Sequence, residues 1–447
     1  MNTPLLISIH FFLILLGLCN TQIKIPFESK LCLANQNEDF LSNYYGQYLY
    51  TSIKIGSNNQ RLEVALKLNR YVTYLISSDI SDLKSEKFNE KDSNTYEVVN
   101  KKKIISNEDE FFSSVKSTDN IIFGENINYA KYIFYLSKEQ YFDETGHIGL
   151  KIVQSHLDTD FKGNGFIDQL KSNSLINSHS FYFKYEYKDE KEFKYKGNLI
   201  IGGMPHEIEP SELYNLENYV QTYVEVNKYN TRWSIEISSV NYGNDVITQS
   251  DTIEFSTTFG FIEAPIKFIF IFDYFFNQTG CGGDHNGENK NYLYLYCDES
   301  VDISKFKNLL FIGRNEEFNF TLTYKDLFRK IKNYNYFLIL FNEDVKKWIF
   351  GHIFLKKYTI VFNPDKKSIG YYYQPNSENF NNNTSKSFTI NLFKSLSVVL
   401  GLVIIGLLVY INYFNKRKRK IRPNELEENF DYTSTGADKE QENKLGV

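Results

Sequence analysis

Trp348-Ile349-Phe350-Gly351-His352-Ile353-Phe354-Leu355-Lys356-Lys357-Tyr358-Thr359-Ile360-Val361-Phe362-Asn363, with Ile369-Gly370 shortly after, is the stretch on which the fold can be read. It is apolar and aromatic, and Tyr358 to Phe362 reads as a strand. Runs of the same kind recur toward the N-terminus: Trp233 to Ile237, Asn198 to Ile201, Phe181 to Tyr187, Asn120 to Phe123, Leu62 to Leu66 and Tyr48 to Ile55. Apolar and polar residues alternate in Leu62-Glu63-Val64-Ala65-Leu66 and in Trp233-Ser234-Ile235-Glu236-Ile237, the pattern of half-buried strands. Polar turns separate the runs, and Gly202-Gly203-Met204-Pro205 is the best central punctuation. So many short strands between Tyr44 and Tyr373 predict an all-β protein too long for one sandwich.

The chain has 447 residues, 42% hydrophobic and 23% charged, which excludes disorder from end to end. Its formal charge of −5, from 50 basic and 55 acidic side chains, gives no basis for nucleic acid as a partner. Aromatic content is high, with 34 Tyr, 38 Phe and 2 Trp. A sugar- or peptide-binding surface would produce that excess, and so would AT-rich codons, which the abundance of Asn, Ile and Lys and the scarcity of Pro favour. The 7 His residues offer no pair at ligand spacing, so neither a metal nor another cofactor is expected.

The ends of the chain predict its compartment. Leu5 to Leu18 is an apolar run suited to a secretory signal over 1–19, leaving 20–40 as an N-terminal segment or short propeptide. Leu396 to Phe414 carries no charge and has the length of a bilayer span. Lys416, Arg417, Lys418, Arg419, Lys420 and Arg422 follow at once, which predicts a single-pass type I protein with its ectodomain lumenal or extracellular. On this reading 375–394 is a polar stalk, 395–414 the transmembrane helix and 415–447 the cytoplasmic tail. The secretory pathway, an endosome or vacuole, and the cell surface all satisfy that topology. Cys281 and Cys297 enclose a Gly- and Asn-rich stretch that reads as a disulfide-closed loop, and Cys32 is left over. Asn277, Asn319, Asn382 and Asn383 each begin a glycosylation sequon.

Several segments together resemble a pepsin-like aspartic protease. Tyr44-Tyr45-Gly46, then Ile53-Lys54-Ile55-Gly56 with Gln60, resembles the family's opening strand and its I-G-T-P-x-Q turn. Gly146-His147-Ile148-Gly149-Leu150 is similar to D-G-I-L-G-L, and Gly197 to Gly203 to G-x-L-x-L-G-G. Trp233-Ser234-Ile235 resembles the W-x-I that opens the second lobe, and the stretch from Trp348 resembles W-I-L-G-D-x-F-L-R-x-Y-Y-x-V-F-D. The resemblance implies a bilobal fold with an interlobe cleft, the lobes spanning 41–206 and 207–374. It also implies one Asp from a D-T-G turn in each lobe. Two carboxylates held close cannot both ionise, so they share a proton and serve as acid and base together.

Both turns depart from that pattern. Counting from Gly56 and Gln60, the first triplet falls on Lys67-Leu68-Asn69, or with a one-residue slip on Leu68-Asn69-Arg70. No Asp occurs between Asp39 and Asp79. Counting back from Pro265 places the second triplet on Ser256-Thr257-Thr258; the alternative acid, Asp251, lies five residues too early. Asn107 falls at the flap position, His352 where the family has an Asp, and Asn363 likewise. The expected function is a membrane-anchored, glycosylated pepsin-like protein that has lost proteolysis and binds polypeptide in its cleft or on its surface. The competing expectations are an active endopeptidase working at acidic pH and a surface display unit.

Overall fold

The computed structural model describes residues 22–31, 46–80, 86–106, 112–124, 127–138, 145–152, 161–186, 194–224, 232–285, 292–314 and 318–372. The expected signal, stalk, membrane span and cytoplasmic tail lie outside them, as do Asn107, Asn382, Asn383, Cys19 and Cys32. Among the described residues no helix is long and apolar enough to cross a membrane.

Strands dominate, as the alternation predicts, and they build one architecture twice. In the first half, strand Gln47–Ile55 pairs antiparallel with Gln60–Lys67, which runs parallel to His147–Gly149. Tyr74–Ile76 then lies antiparallel to His147–Gly149 and parallel to Ile127–Ser137. The second half repeats each step. Ser234–Tyr242 pairs antiparallel with Asp245–Phe255, which runs parallel to Trp348–Phe350. Ile262–Pro265 lies antiparallel to Trp348–Phe350 and parallel to Ile339–Asn342. This duplication leaves no trace as a short-period repeat, because it is conserved in pairing and not in residue identity.

The halves do not divide cleanly at Gly202-Gly203. Tyr219–Tyr223, Ser368–Tyr372 and Val361–Asn363 continue the sheet of the first half, in order, onto Phe181–Glu186, Lys196–Ile201 and Ile23–Leu31. Ile23–Leu31, within the expected N-terminal segment, is therefore an internal strand between Lys196–Ile201 and Gln47–Ile55. Pro26 sits where this strand pairs with Asn198 alone, before its second neighbour joins at Glu28, so the missing N–H costs less there. The predicted strand Tyr358 to Phe362 is shortened to Val361–Asn363, because the preceding helix His352–Lys357 runs up to Tyr358.

Aromatic residues fill the core beneath these sheets. Phe181 stacks on Phe362 at 5.0 Å, and Trp233 meets Phe362 edge-on at the same distance. Phe255, Phe350 and Phe354 extend the packing into the second half. Cys281 and Cys297 form the expected disulfide, opposite each other across the hairpin Cys281–His285/Tyr292–Asp298.

Candidate functional site

The two turns that the counting singled out occupy equivalent places in the duplicated fold. Lys67 ends its strand opposite Gly149, and the Leu150 N–H donates to its carbonyl at 2.8 Å. Ser256 follows the Phe255–Phe350 pair, and its N–H donates to the Phe350 carbonyl at 3.0 Å, which sets it against Gly351. Each glycine is required because the backbone of the turn lies directly on it. A Cβ on Gly149 would meet the Arg70 carbonyl oxygen at 2.5 Å, and one on Gly351 the Phe261 carbonyl oxygen at 2.2 Å.

Thr257 locks the turns to each other. Its hydroxyl donates to the Leu66 carbonyl at 2.6 Å and accepts the Leu68 N–H at 3.3 Å. Those two groups flank Lys67, a geometry that favours the register Lys67-Leu68-Asn69 over the slip that would make Leu68 the first member. The reciprocal clasp is missing, because Leu68 has no hydroxyl to offer. Trp233 ties the same parts together: its indole N–H donates to the Leu150 carbonyl at 2.8 Å, and its carbonyl accepts the Phe255 N–H at 2.9 Å.

The side chains at the paired positions are not acids. Lys67 is 3% exposed, and its Nζ lies 5.2 Å from the centre of the Tyr48 ring. Ser256 is buried; its hydroxyl shares a 2.8 Å bond with Thr258 Oγ1 and accepts the Thr258 N–H at 3.2 Å. Asp251 stands in mid-strand opposite Ile237, about 16 Å along the chain from Ser256. Its carboxyl is pushed up by burial, against the pull of the Thr252 N–H. The buried acids nearest the second turn are already engaged. Glu254 binds Arg232 at 3.0 Å and also Lys347, and Glu263 accepts from Asn342 Nδ2 at 2.5 Å.

His352 is structural in this geometry. Burial drives its pKa down to about 4, against the opposing pull of the Gln47 carbonyl. The neutral ring donates from Nε2 to that carbonyl at 2.7 Å, and its Nδ1 accepts from the Tyr185 hydroxyl at 3.1 Å. Gln60, matched in the sequence to a family turn, bonds Asn89 twice, through Oε1 from the N–H and through Nε2 to the carbonyl. Among the described residues no group of three or more His, Cys, Asp or Glu side chains is placed to hold a metal.

A family model described as eukaryotic aspartyl protease matches residues 47–372. The chain belongs to the eukaryotic aspartyl protease family. No curated protein matches it. Within this family frame, the roles that sequence reading missed are those of Thr257, Tyr48 and the two packed glycines. Thr257 was within reach, as the middle member of the second triplet; Tyr48 became visible only once its strand lay beside Lys67.

Proposed function

We propose that this aspartyl protease family member is a type I membrane-anchored glycoprotein that has lost proteolysis and binds polypeptide between its lobes. The observation that carries the reading is the pair of equivalent turn positions held by Lys67 and Ser256. Peptide hydrolysis by acid and base from one site needs two groups that share and exchange a proton with water and the substrate carbonyl. An amine at one position and a hydroxyl at the other do not make such a pair. Ser256 gains no compensating role as a nucleophile, since among the described residues its hydroxyl bonds only to Thr258 and lacks an adjacent base.

Loss of residues that work as a unit removes several orders of magnitude in rate, while the duplicated strands and the Thr257 bonds between the turns are kept. That combination supports retained binding without turnover. Incubating the purified protein with a mixed peptide library from about pH 3 to 6, where carboxyl pairs operate, tests it. Capture of peptides without new termini is expected. Cleavage that a pepstatin-like transition-state mimic blocks would establish an active endopeptidase instead, and absence of both capture and cleavage would favour a display unit.

A further inference from the structure

The chain contains 38 phenylalanines, yet among the described residues Phe270 alone is exposed, at 73%. Tyr274, at 89%, is the most exposed large apolar side chain of the described surface. Both lie on one short helical stretch, Ile266–Ile271 followed by Asp273–Phe276, whose other side buries Phe268, Phe272, Phe275 and Phe276. The Phe276 N–H donates to the Phe272 carbonyl at 3.0 Å, and the Asn277 N–H to the Asp273 carbonyl at 2.8 Å, so helical pitch carries through to Asn277. Tyr274 and Asn277, three apart on this turn, share a face, and Phe270 is exposed on the 3-10 turn just before it. Asn277 heads the sequon Asn277-Gln278-Thr279, and all three residues are exposed. Among the described residues its side-chain amide has no hydrogen-bond partner.

We propose that Phe270 and Tyr274 are the seat of an N-linked glycan carried by Asn277. Phe270 and Tyr274 together make an exposed aromatic pair beside a sequon, and such a pair calls for a cover. The C–H face of a pyranose is apolar and flat, suited to lie on an aromatic ring, and attachment one turn away makes the contact intramolecular. In the attachment step Asn277 Nδ2 forms the bond to C1 of the first sugar of a lipid-linked oligosaccharide. The C1–O bond breaks, the lipid pyrophosphate leaves, and the displaced amide proton passes to a base. Asn319 is the internal comparison: it is exposed, but its aromatic neighbours Phe320 and Tyr371 are buried. The inference rests on the lumenal placement proposed above.

The full chain, expressed in a eukaryotic secretory host, is mapped for sugar by mass spectrometry and examined by NMR. Sugar is expected on Asn277 and on Asn319. The acetamido methyl signal of the first sugar on Asn277 is expected to shift upfield under the Tyr274 ring, and to return in Tyr274→Ser. Removing the sequon by Asn277→Gln, or by Thr279→Ala should that variant fold poorly, lowers Tm by about 2 °C. The drop disappears in a Phe270→Ser/Tyr274→Ser background, whereas the effect of Asn319→Gln is the same in both. Asn277 unmodified beside a modified Asn319 overturns the proposal alone; neither modified overturns it together with the lumenal placement. A normal methyl shift, with self-association that Phe270→Ser/Tyr274→Ser abolishes, assigns the face to a second copy and also overturns it.

Discussion

Thr257 carries more of the site's geometry than either residue at the paired turn positions. Its fully buried hydroxyl satisfies a carbonyl and an N–H of the opposite turn at once, and a valine would leave both without a partner. Thr257→Val is therefore expected to cost about 1–3 kcal/mol in a denaturant titration, and Ser256→Ala about 1 kcal/mol. An equal or larger loss for Ser256→Ala would show that the clasp across the turns is not what holds them. His352 sets a pH dependence of its own. Its folded pKa, lowered to about 4 from 6.5, lets the unfolded chain take up a proton that the folded chain refuses. Its contribution is complete above about pH 6.5 and falls away as pH drops toward 4, by up to about 3 kcal/mol. His352→Gln should flatten that acid slope in melts recorded across the same window; an unchanged slope would remove His352 as its source.

At the scale of elements, the parallel strands His147–Gly149 and Trp348–Phe350 each serve as the floor for a turn. The turns press on Gly149 and Gly351 so closely that an added methyl has nowhere to go. Either Gly149→Ala or Gly351→Ala is expected to destabilise by about 3 kcal/mol, more than any exposed glycine change, measured by the urea midpoint. The hairpin closed by Cys281 and Cys297 is the other element with a definable constraint, at a sequence separation of 16. By loop-closure entropy its loss in Cys281→Ala/Cys297→Ala should cost about 3 kcal/mol. Equal stability of the oxidised protein and this variant would show that the closed loop adds no constraint.

Across the whole described body, the two halves are joined by more than the shared sheet. His179, just before strand Phe181–Glu186, pairs with Asp168 at 3.4 Å and with Asp365 at 2.6 Å. Asp168 lies on the helix Phe166–Ser172 and accepts the Tyr71 hydroxyl at 2.6 Å; Asp365 lies in the turn after Val361–Asn363. The bond to Asp168 foremost, with the charges of both carboxylates, raises the His179 pKa above its ordinary value against the pull of burial. A raised folded pKa places this stabilisation below about pH 6.5 and removes it as pH rises through the folded value. Asp365→Asn should blunt the decline of Tm as pH rises above about 6.5, and an identical decline would exclude the link. His179 and His352 thus slope in opposite directions.

Sequence by itself determined the strand-built character of the chain, the order of its family segments, which residues stand at the counted positions and the Cys281–Cys297 pairing. Each of these is local: a two-residue alternation, a glycine-marked turn, a residue present or missing at a counted position. Tertiary structure alone favours Lys67 over Leu68, because that choice depends on which backbone groups Thr257 reaches across 189 and 191 residues of chain. It also decided that Ile23–Leu31 is an internal strand and that Asp251 stands away from the turn. Strand register and cross-chain hydrogen bonds are set by which surfaces can be buried together, and linear spacing does not record them.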